Sequence, residues 1–450
     1  MKRIYISTLA LLVCLFGYFY VKAFYVPPDS EKIKITVSTD GAVDDELKSL
    51  NKRVEEFEKK NPDIDIELYD YSYYMDYFDA AAINKSVPMY FSTWFSQMER
   101  MIKNGFATDL TEYLTEKEYI DKMAPEIKNV ICYNERIYGI PQTVYAMGMT
   151  LSEPLFREAG LVDDDGNVLV PQDFDSVWRY ARIIREKTGK PGYAIRTDSN
   201  SAGWQLCNVA WNYGVEFISE ENGIMKSSFD DDRLCDILNE IYHLKWDYDA
   251  IYYDRRVNPK GGNDIDSREV GMTVASPESG WGVAAGRDEE VIYFQMPRGD
   301  GGRYALTGGT IKIISSYATP EQIEACIKWA EFNDELPARL TKETKQKWIG
   351  QLLEWKGREI LRVPYVWKNE KERNDVIESL VKKYGSEDDV RVRYYNNFDD
   401  TELKTEVSVN CQKLYEILGK CIDEVMTNKD VDIKAIVHEA NEKFQNEYLN

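Results

Sequence analysis

Histidine is almost missing from this chain: among 450 residues only His243 and His438 occur. Each falls in a helical pattern, so a structural role is the simpler reading, and most His-dependent mechanisms drop out. The seven cysteines, at 14, 132, 207, 235, 326, 411 and 421, form no C-x-x-C and no clustered spacing. That argues against zinc and redox motifs, and leaves buried thiols or pairings that spacing cannot assign. Positive charge is short as well: 56 basic against 78 acidic residues give a net charge of −22. Phosphate backbones want a basic stripe, so nucleic acid is not the expected partner. There is no internal repeat and no low-complexity tract.

Catalytic signatures are equally scarce. G-x-S-x-G, H-E-x-x-H, the phosphate-binding loop and the dinucleotide fingerprint are all missing. Among so many carboxylates a glycosidase pair is not excluded by composition, but nothing singles one out. Asp163, Asp165 and Asn167 superficially suit calcium. The sixth-position Gly and terminal Glu of such a loop are lacking, so a hairpin turn is expected. Arg298-Gly299-Asp300 matches an adhesion tripeptide that recurs by chance, and its Gly is explained by a turn. No metal, no cofactor and no catalytic residue are expected.

What the chain does have is aromatic surface, with 31 Tyr and 10 Trp. Most such rings are core or surface filler, yet flat amphipathic rings are also what a pyranose face packs against. Hydrophobic residues at 43% suit a folded protein, and the length is too great for one simple core, so two lobes are expected. At the N-terminus, Lys2 and Arg3 precede an apolar run from Ile4 to Val21, an export signal. The run is just long enough to remain as an anchor, and Val21-Lys22-Ala23 offers a cleavage site, so cleavage and anchoring both stay open. Pro27-Pro28 then reads as a stiff spacer.

"KIKITVSTD" alternates apolar and polar residues as a strand does. Leu47, Leu50, Val54 and Phe57 then share one helical face, Asn61-Pro62 ends that helix, and "DIDIELYD" alternates again. Strand, helix, strand is a βαβ unit and predicts a parallel sheet flanked by helices. Ligands of such sheets sit at the carboxyl ends of strands, where Ser38-Thr39-Asp40-Gly41 falls; a plain cap and turn is the competing reading. Thr93 and Trp94 are expected on a loop after the next strand, Gly308-Gly309 on a close-approach loop, and the part beyond Pro320 is expected to be mostly helical. Residues 134–161 hold only Glu135, Arg136, Glu153, Arg157 and Glu158 as charges, which suits either a buried core strand or a chain crossing between two lobes beside a binding site, with Tyr138 and Tyr145 close together in it.

Five blocks, in order, carry a family likeness: "ITVSTDG…EEFEKKNPDIDIE", "ERIYGIPQTVYAMGMTLSEPLFREAGL", "DFDSVWRYARIIREKTG", "QMPRGDGGRYALTGGTIKI" with "TPEQIEACIKWAEF", and "VDIKAIVHEANEKFQ". The chain resembles the extracellular solute-binding proteins of carbohydrate ABC importers, the maltose-binding-protein-like group. That resemblance implies an α/β, two-lobed periplasmic-binding-protein-like (Venus flytrap) fold, with strands crossing between the lobes and a helical C-terminus. It implies an N-terminal segment 1–30, a first lobe of 31–142 with 304–345, and a second of 143–303 with 346–450. It also implies capture of a sugar or oligosaccharide in the interlobe cleft and delivery to ABC permease subunits, by a monomer outside the cytoplasm; the N-terminal run adds the expectation of a tether to the membrane's outer face. The ligand-binding positions it implies are Thr39, Asp40, Trp94, Tyr145, Trp204, Trp281, Gly308 and Gly309. Two positions depart from the family pattern: Met89 follows Pro88 where an Asp is usual, and Ser38 ends the first strand where a Trp is common. A surface receptor of the same fold serving no importer, or an extracellular carbohydrate-active enzyme, are the other readings.

Overall fold

The computed structural model describes residues 32–73, 75–123, 125–196, 200–221, 224–253, 269–275, 291–336, 400–407 and 409–449, with single positions at 342, 346, 379 and 383. The chain divides into two compact units, Met1–Phe91 with Tyr317–Phe332, and Ser92–Ser316 with Asn333–Asn450.

In the first unit, strand β1 (Ile33–Ser38), helix α1 (Asp44–Lys60) and strand β2 (Ile64–Tyr69) form the expected βαβ unit. β1 and β2 pair in parallel from Ile33↔Ile64 to Ser38↔Tyr69. The alternation works as read: Ile35, Val37, Ile64 and Ile66 are buried, and α1 turns Val54 and Phe57 inward. Asp44, Asp45 and Glu46 open α1 and Lys59 and Lys60 close it, each sign favourable at its end of the helix dipole. The ring of Phe57 meets Trp329 and Phe332 of helix Pro320–Phe332 edge-on, with centroids 5.2 and 5.4 Å away. Strand β3 (Tyr90–Trp94) joins through Val37↔Tyr90, and the division between units falls inside it. Thr93 and Trp94 therefore end a strand rather than sit on a loop, because the apolar run before them carries its pairing to Trp94.

The second unit is built around two connected strands, β4 (Ile140–Ala146) and β5 (Gly148–Ser152). β5 lies inside a five-stranded sheet with β6 (Tyr193–Ala194), β7 (Ile251–Tyr252), β8 (Met272–Ala275) and β9 (Val291–Gln295), in the order β7-β6-β8-β5-β9. Every residue of β5 is buried, which explains the scarcity of charge between 134 and 161: a strand covered on both faces has no polar side. β4 instead pairs antiparallel with β10 (Tyr304–Ile314), which also pairs in parallel with β11 (Glu402–Thr405). The chain thus passes from one sheet to the other at Met147. Gly308 and Gly309 correct the loop expectation. They sit mid-strand in β10, opposite Tyr145 and Val144, where missing side chains allow close contact. The turn expected at 163–167 is present: the Asp163 N–H donates to the Asn167 carbonyl at 2.8 Å, and the Asp163 carboxylate accepts from the N–H groups of Asp165 and Asn167.

Helices α2 (Phe174–Thr188), α3 (Ser201–Asn212), α4 (Asp232–Trp246), α5 (Cys411–Thr427) and α6 (Ile433–Phe444) enclose the core of this unit. Beyond Pro320 the described residues are mostly helical as expected, with β11 an addition.

Candidate functional site

A cavity of about 380 Å³ lies wholly within the second unit. That falls among the roughly 300–1,000 Å³ pockets that hold small molecules. Four rings line it: Trp94 at the end of β3, Tyr145 on β4, Trp204 on α3 and Tyr415 on α5. The rings of Tyr145 and Trp204 meet edge-on with centroids 6.3 Å apart. Trp94 is 42% exposed.

Polar groups fill the spaces between the rings. The Thr143 and Thr310 hydroxyls share a hydrogen bond of 2.6 Å across the β4–β10 pair. Asn200 donates to the backbone carbonyl of Gln412 at 2.9 Å, linking the loop before α3 to the start of α5. Arg196 and Glu406 are the two charged residues of the lining. Glu406 accepts from the Tyr415 hydroxyl at 3.3 Å. Burial pushes its carboxyl up to about 7, against the opposing hydrogen bonds of Ser96 and Tyr415. Burial first, then the charge of Glu406, holds the Tyr145 hydroxyl far above its ordinary value.

Helix α3 sets much of this geometry, and its sequence shows how. Gln205, Asn208 and Asn212 are buried polar residues on an otherwise apolar helix. Asn212 accepts from the Tyr304 N–H at 2.8 Å and donates to the Tyr304 carbonyl at 3.0 Å, tying α3 to β10. Gln205 accepts from the Arg196 N–H at 2.9 Å and donates to the Val274 carbonyl at 2.8 Å, tying it to β8 and the loop after β6. On another side, Gly203 lets α5 approach so closely that a Cβ there would lie 1.9 Å from the Tyr415 carbonyl oxygen.

Of the residues expected from sequence, Trp94, Tyr145, Trp204 and Gly309 line this cavity together. Gly308 does not line it but backs it: a Cβ at that position would sit 2.3 Å from the Tyr145 hydroxyl. Thr39 and Asp40 belong to the first unit, where Asp40 accepts from Ser38 Oγ at 2.7 Å at the carboxyl end of β1. Trp281 lies outside the described residues. Reading the sequence missed Arg196, Glu406, Gln412 and Tyr415. Tyr415 carried a helical-face signal that reads as core, and the others carried none.

The fold and the ring-lined cavity define a two-lobed α/β binding protein of the periplasmic-binding type. A family model for bacterial extracellular solute-binding protein matches residues 41–335, and the chain belongs to that family. It is therefore an extracytoplasmic binding protein and not an enzyme. Among solved structures, the GacH receptor of Streptomyces glaucescens, studied unliganded and with acarbose, is 16% identical, with a TM-score of 0.67 over 92% of this chain and 98% of that one. UgpB of Mycobacterium tuberculosis in complex with glycerophosphocholine is 14% identical, with a TM-score of 0.68 over 92% and 98%. The cyclic alpha-maltosyl-1,6-maltose binding protein of Arthrobacter globiformis is 15% identical, with a TM-score of 0.64 over 91% and 97%. No curated protein sequence matches the chain.

Proposed function

We propose that this protein captures a sugar or oligosaccharide in the ring-lined cavity and delivers it to an ABC permease. The observation that carries the reading is the lining itself: Trp94, Tyr145, Trp204 and Tyr415 share it with the hydroxyl and amide residues Thr143, Asn200, Thr310 and Gln412. Rings pack on the C–H faces of pyranoses, and interleaved donors and acceptors meet the hydroxyls. The saccharide ligands named for the Streptomyces and Arthrobacter proteins support the same class. On the lobe division 31–142 with 304–345 and 143–303 with 346–450, Trp94 and Gly309 come from the first lobe and Trp204 and Tyr415 from the second. A ligand touching both would favour closure by its differential affinity. For Thr39, Asp40, Gly308 and Trp281 a binding role rests on the family likeness alone. The N-terminal run directs export, and the protein works tethered to the outer face of the membrane.

Saccharide screening by thermal shift tests the reading. A ligand at about 100 times its dissociation constant stabilises the protein by roughly 2.7 kcal/mol, a visible shift. Absence of a shift with every mono- and oligosaccharide refutes the sugar assignment, and turnover of a saccharide refutes simple binding.

A further inference from the structure

Thr143 and Thr310 face each other across the β4–β10 pair and line the cavity, and each hydroxyl carries a single hydrogen. Two residues outside the lining decide where those hydrogens go. Gln142, next to Thr143 on β4, lies between Glu335 and Thr310. Its Nε2 is 3.2 Å from Glu335 Oε1, and its Oε1 is 3.4 Å from Thr310 Oγ1. The two threonine oxygens are 2.6 Å apart. Each of these three contacts needs one hydrogen, because an acceptor set against an acceptor gains nothing and repels. The Glu335 carboxylate has none to give, so the Gln142 amide supplies the first and turns its oxygen toward Thr310. Thr310 supplies the second, donating to Gln142 Oε1. Its only hydrogen is then spent, so Thr143 supplies the third, donating to Thr310 Oγ1. Thr143 Oγ1 also accepts from the Thr310 N–H at 3.3 Å. Each threonine oxygen thus keeps an open lone pair and no open hydrogen. This stretch of wall can accept from a ligand and cannot donate to it.

We propose that Glu335 and Gln142 are positioning residues for the pocket: they fix Thr143 and Thr310 as acceptors, so the bound saccharide must present an unsubstituted, hydrogen-donating hydroxyl at this wall. An ether oxygen, a fluorine or an acyl carbonyl at the same place is rejected, since it sets acceptor against acceptor. The proposal rests on the sugar-binding reading and deepens it.

The test is calorimetric titration of the purified full chain with maltose, cellobiose, xylobiose and N,N'-diacetylchitobiose. The tightest binder is then remade with each non-anomeric hydroxyl replaced in turn by hydrogen or by fluorine, which accepts weakly and never donates. At one position replacement by hydrogen should weaken binding by roughly five- to tenfold. Thr310→Val should abolish that loss, which identifies the hydroxyl that meets the pair. There fluorine should be as poor as hydrogen in the wild type. Glu335→Gln lets the Gln142 amide turn over and the chain of donors reverse, freeing the Thr143 hydrogen for the ligand. In that variant fluorine should bind better than hydrogen at the same position, by roughly twofold or more. A merely structural role for Glu335 would move all the analogues together and leave that ratio alone. Three results overturn the proposal and leave the sugar reading standing: fluorine as good as hydroxyl at that position in the wild type, no hydroxyl whose loss depends on Thr310, or an unchanged fluorine-to-hydrogen ratio in Glu335→Gln. Binding of none of the four disaccharides overturns both.

Discussion

Replacing Glu406 with Gln should stabilise the ligand-free protein, by an amount that grows as pH rises from about 4.5 to about 7. In the folded chain burial raises this carboxyl to about 7 from an ordinary 4.5. Between those values the folded state holds a proton that the unfolded state has released, so stability falls as pH rises. The stabilising share of the protonated form is complete below about pH 4.5 and gone once pH passes about 7. At 1.36 kcal/mol per pH unit the full swing is about 3 kcal/mol. Water in the open cavity screens part of it, leaving about 1–3 kcal/mol. Glutamine keeps the shape and cannot ionise. The assay is urea unfolding of both variants, followed by circular dichroism, from about pH 5 to about pH 8. Taking the difference between variants cancels the titrations they share, including the His438–Asp230 pair. Tyr145, Tyr415 and Cys411 also face this carboxyl, but burial pushes all three upward, out of the window. The Gln variant should match the wild type near pH 5 and exceed it near pH 8. A difference that is flat with pH, or largest in acid, refutes the argument that Glu406 is desolvated.

Three further substitutions probe the walls. Gly308→Ala puts a Cβ 2.3 Å from the Tyr145 hydroxyl, so the ring must move. Saccharide affinity should fall by roughly tenfold in titration, while stability falls by no more than about 1–3 kcal/mol. Gly203→Ala meets backbone instead, 1.9 Å from the Tyr415 carbonyl oxygen, and neither helix can yield cheaply. Its urea midpoint should drop by more than an ordinary overpacking change of about 1–3 kcal/mol, and an unchanged midpoint would show that the two helices are loosely packed. Asn212→Ala removes both partners of the Tyr304 peptide groups. It should cost about 1–3 kcal/mol for each buried group left unpaired, measured in the same unfolding assay.

The parts legible in the sequence were those whose signal is local. The β1–α1–β2 unit announced itself through alternation at Ile33, Ile35 and Val37 and a helical stripe ending at Phe57. Residues 134–161 gave away their burial through missing charge, whereas Tyr145 was singled out from Tyr138 only by the family likeness. Gly308 and Gly309 misled because two glycines read locally as a loop, whereas their strand conformation is imposed by pairing with β4. β11 is four residues, Glu402–Thr405, with two charges, so nothing local marks it as a strand. Glu406 was hidden for a similar reason. It is one of 78 acids, and what distinguishes it is burial in the folded chain, which its own sequence surroundings do not reveal.

Tyr415 shows why core and site are hard to separate here. It is 1% exposed, sits on the inward face of an amphipathic helix, and still lines the cavity. The same double duty falls on α3, which supplies Trp204 to the cavity and Leu206, Val209 and Trp211 to the core. Apolar contacts alone would let such a helix rotate or slide at little cost, because they have no direction. Gln205, Asn208 and Asn212 remove that freedom: their bonds to Arg196, Val274, Tyr304 and Leu306 are satisfied in a single register. A ring that must meet a pyranose face needs its position fixed, so polar residues belong in the middle of this core.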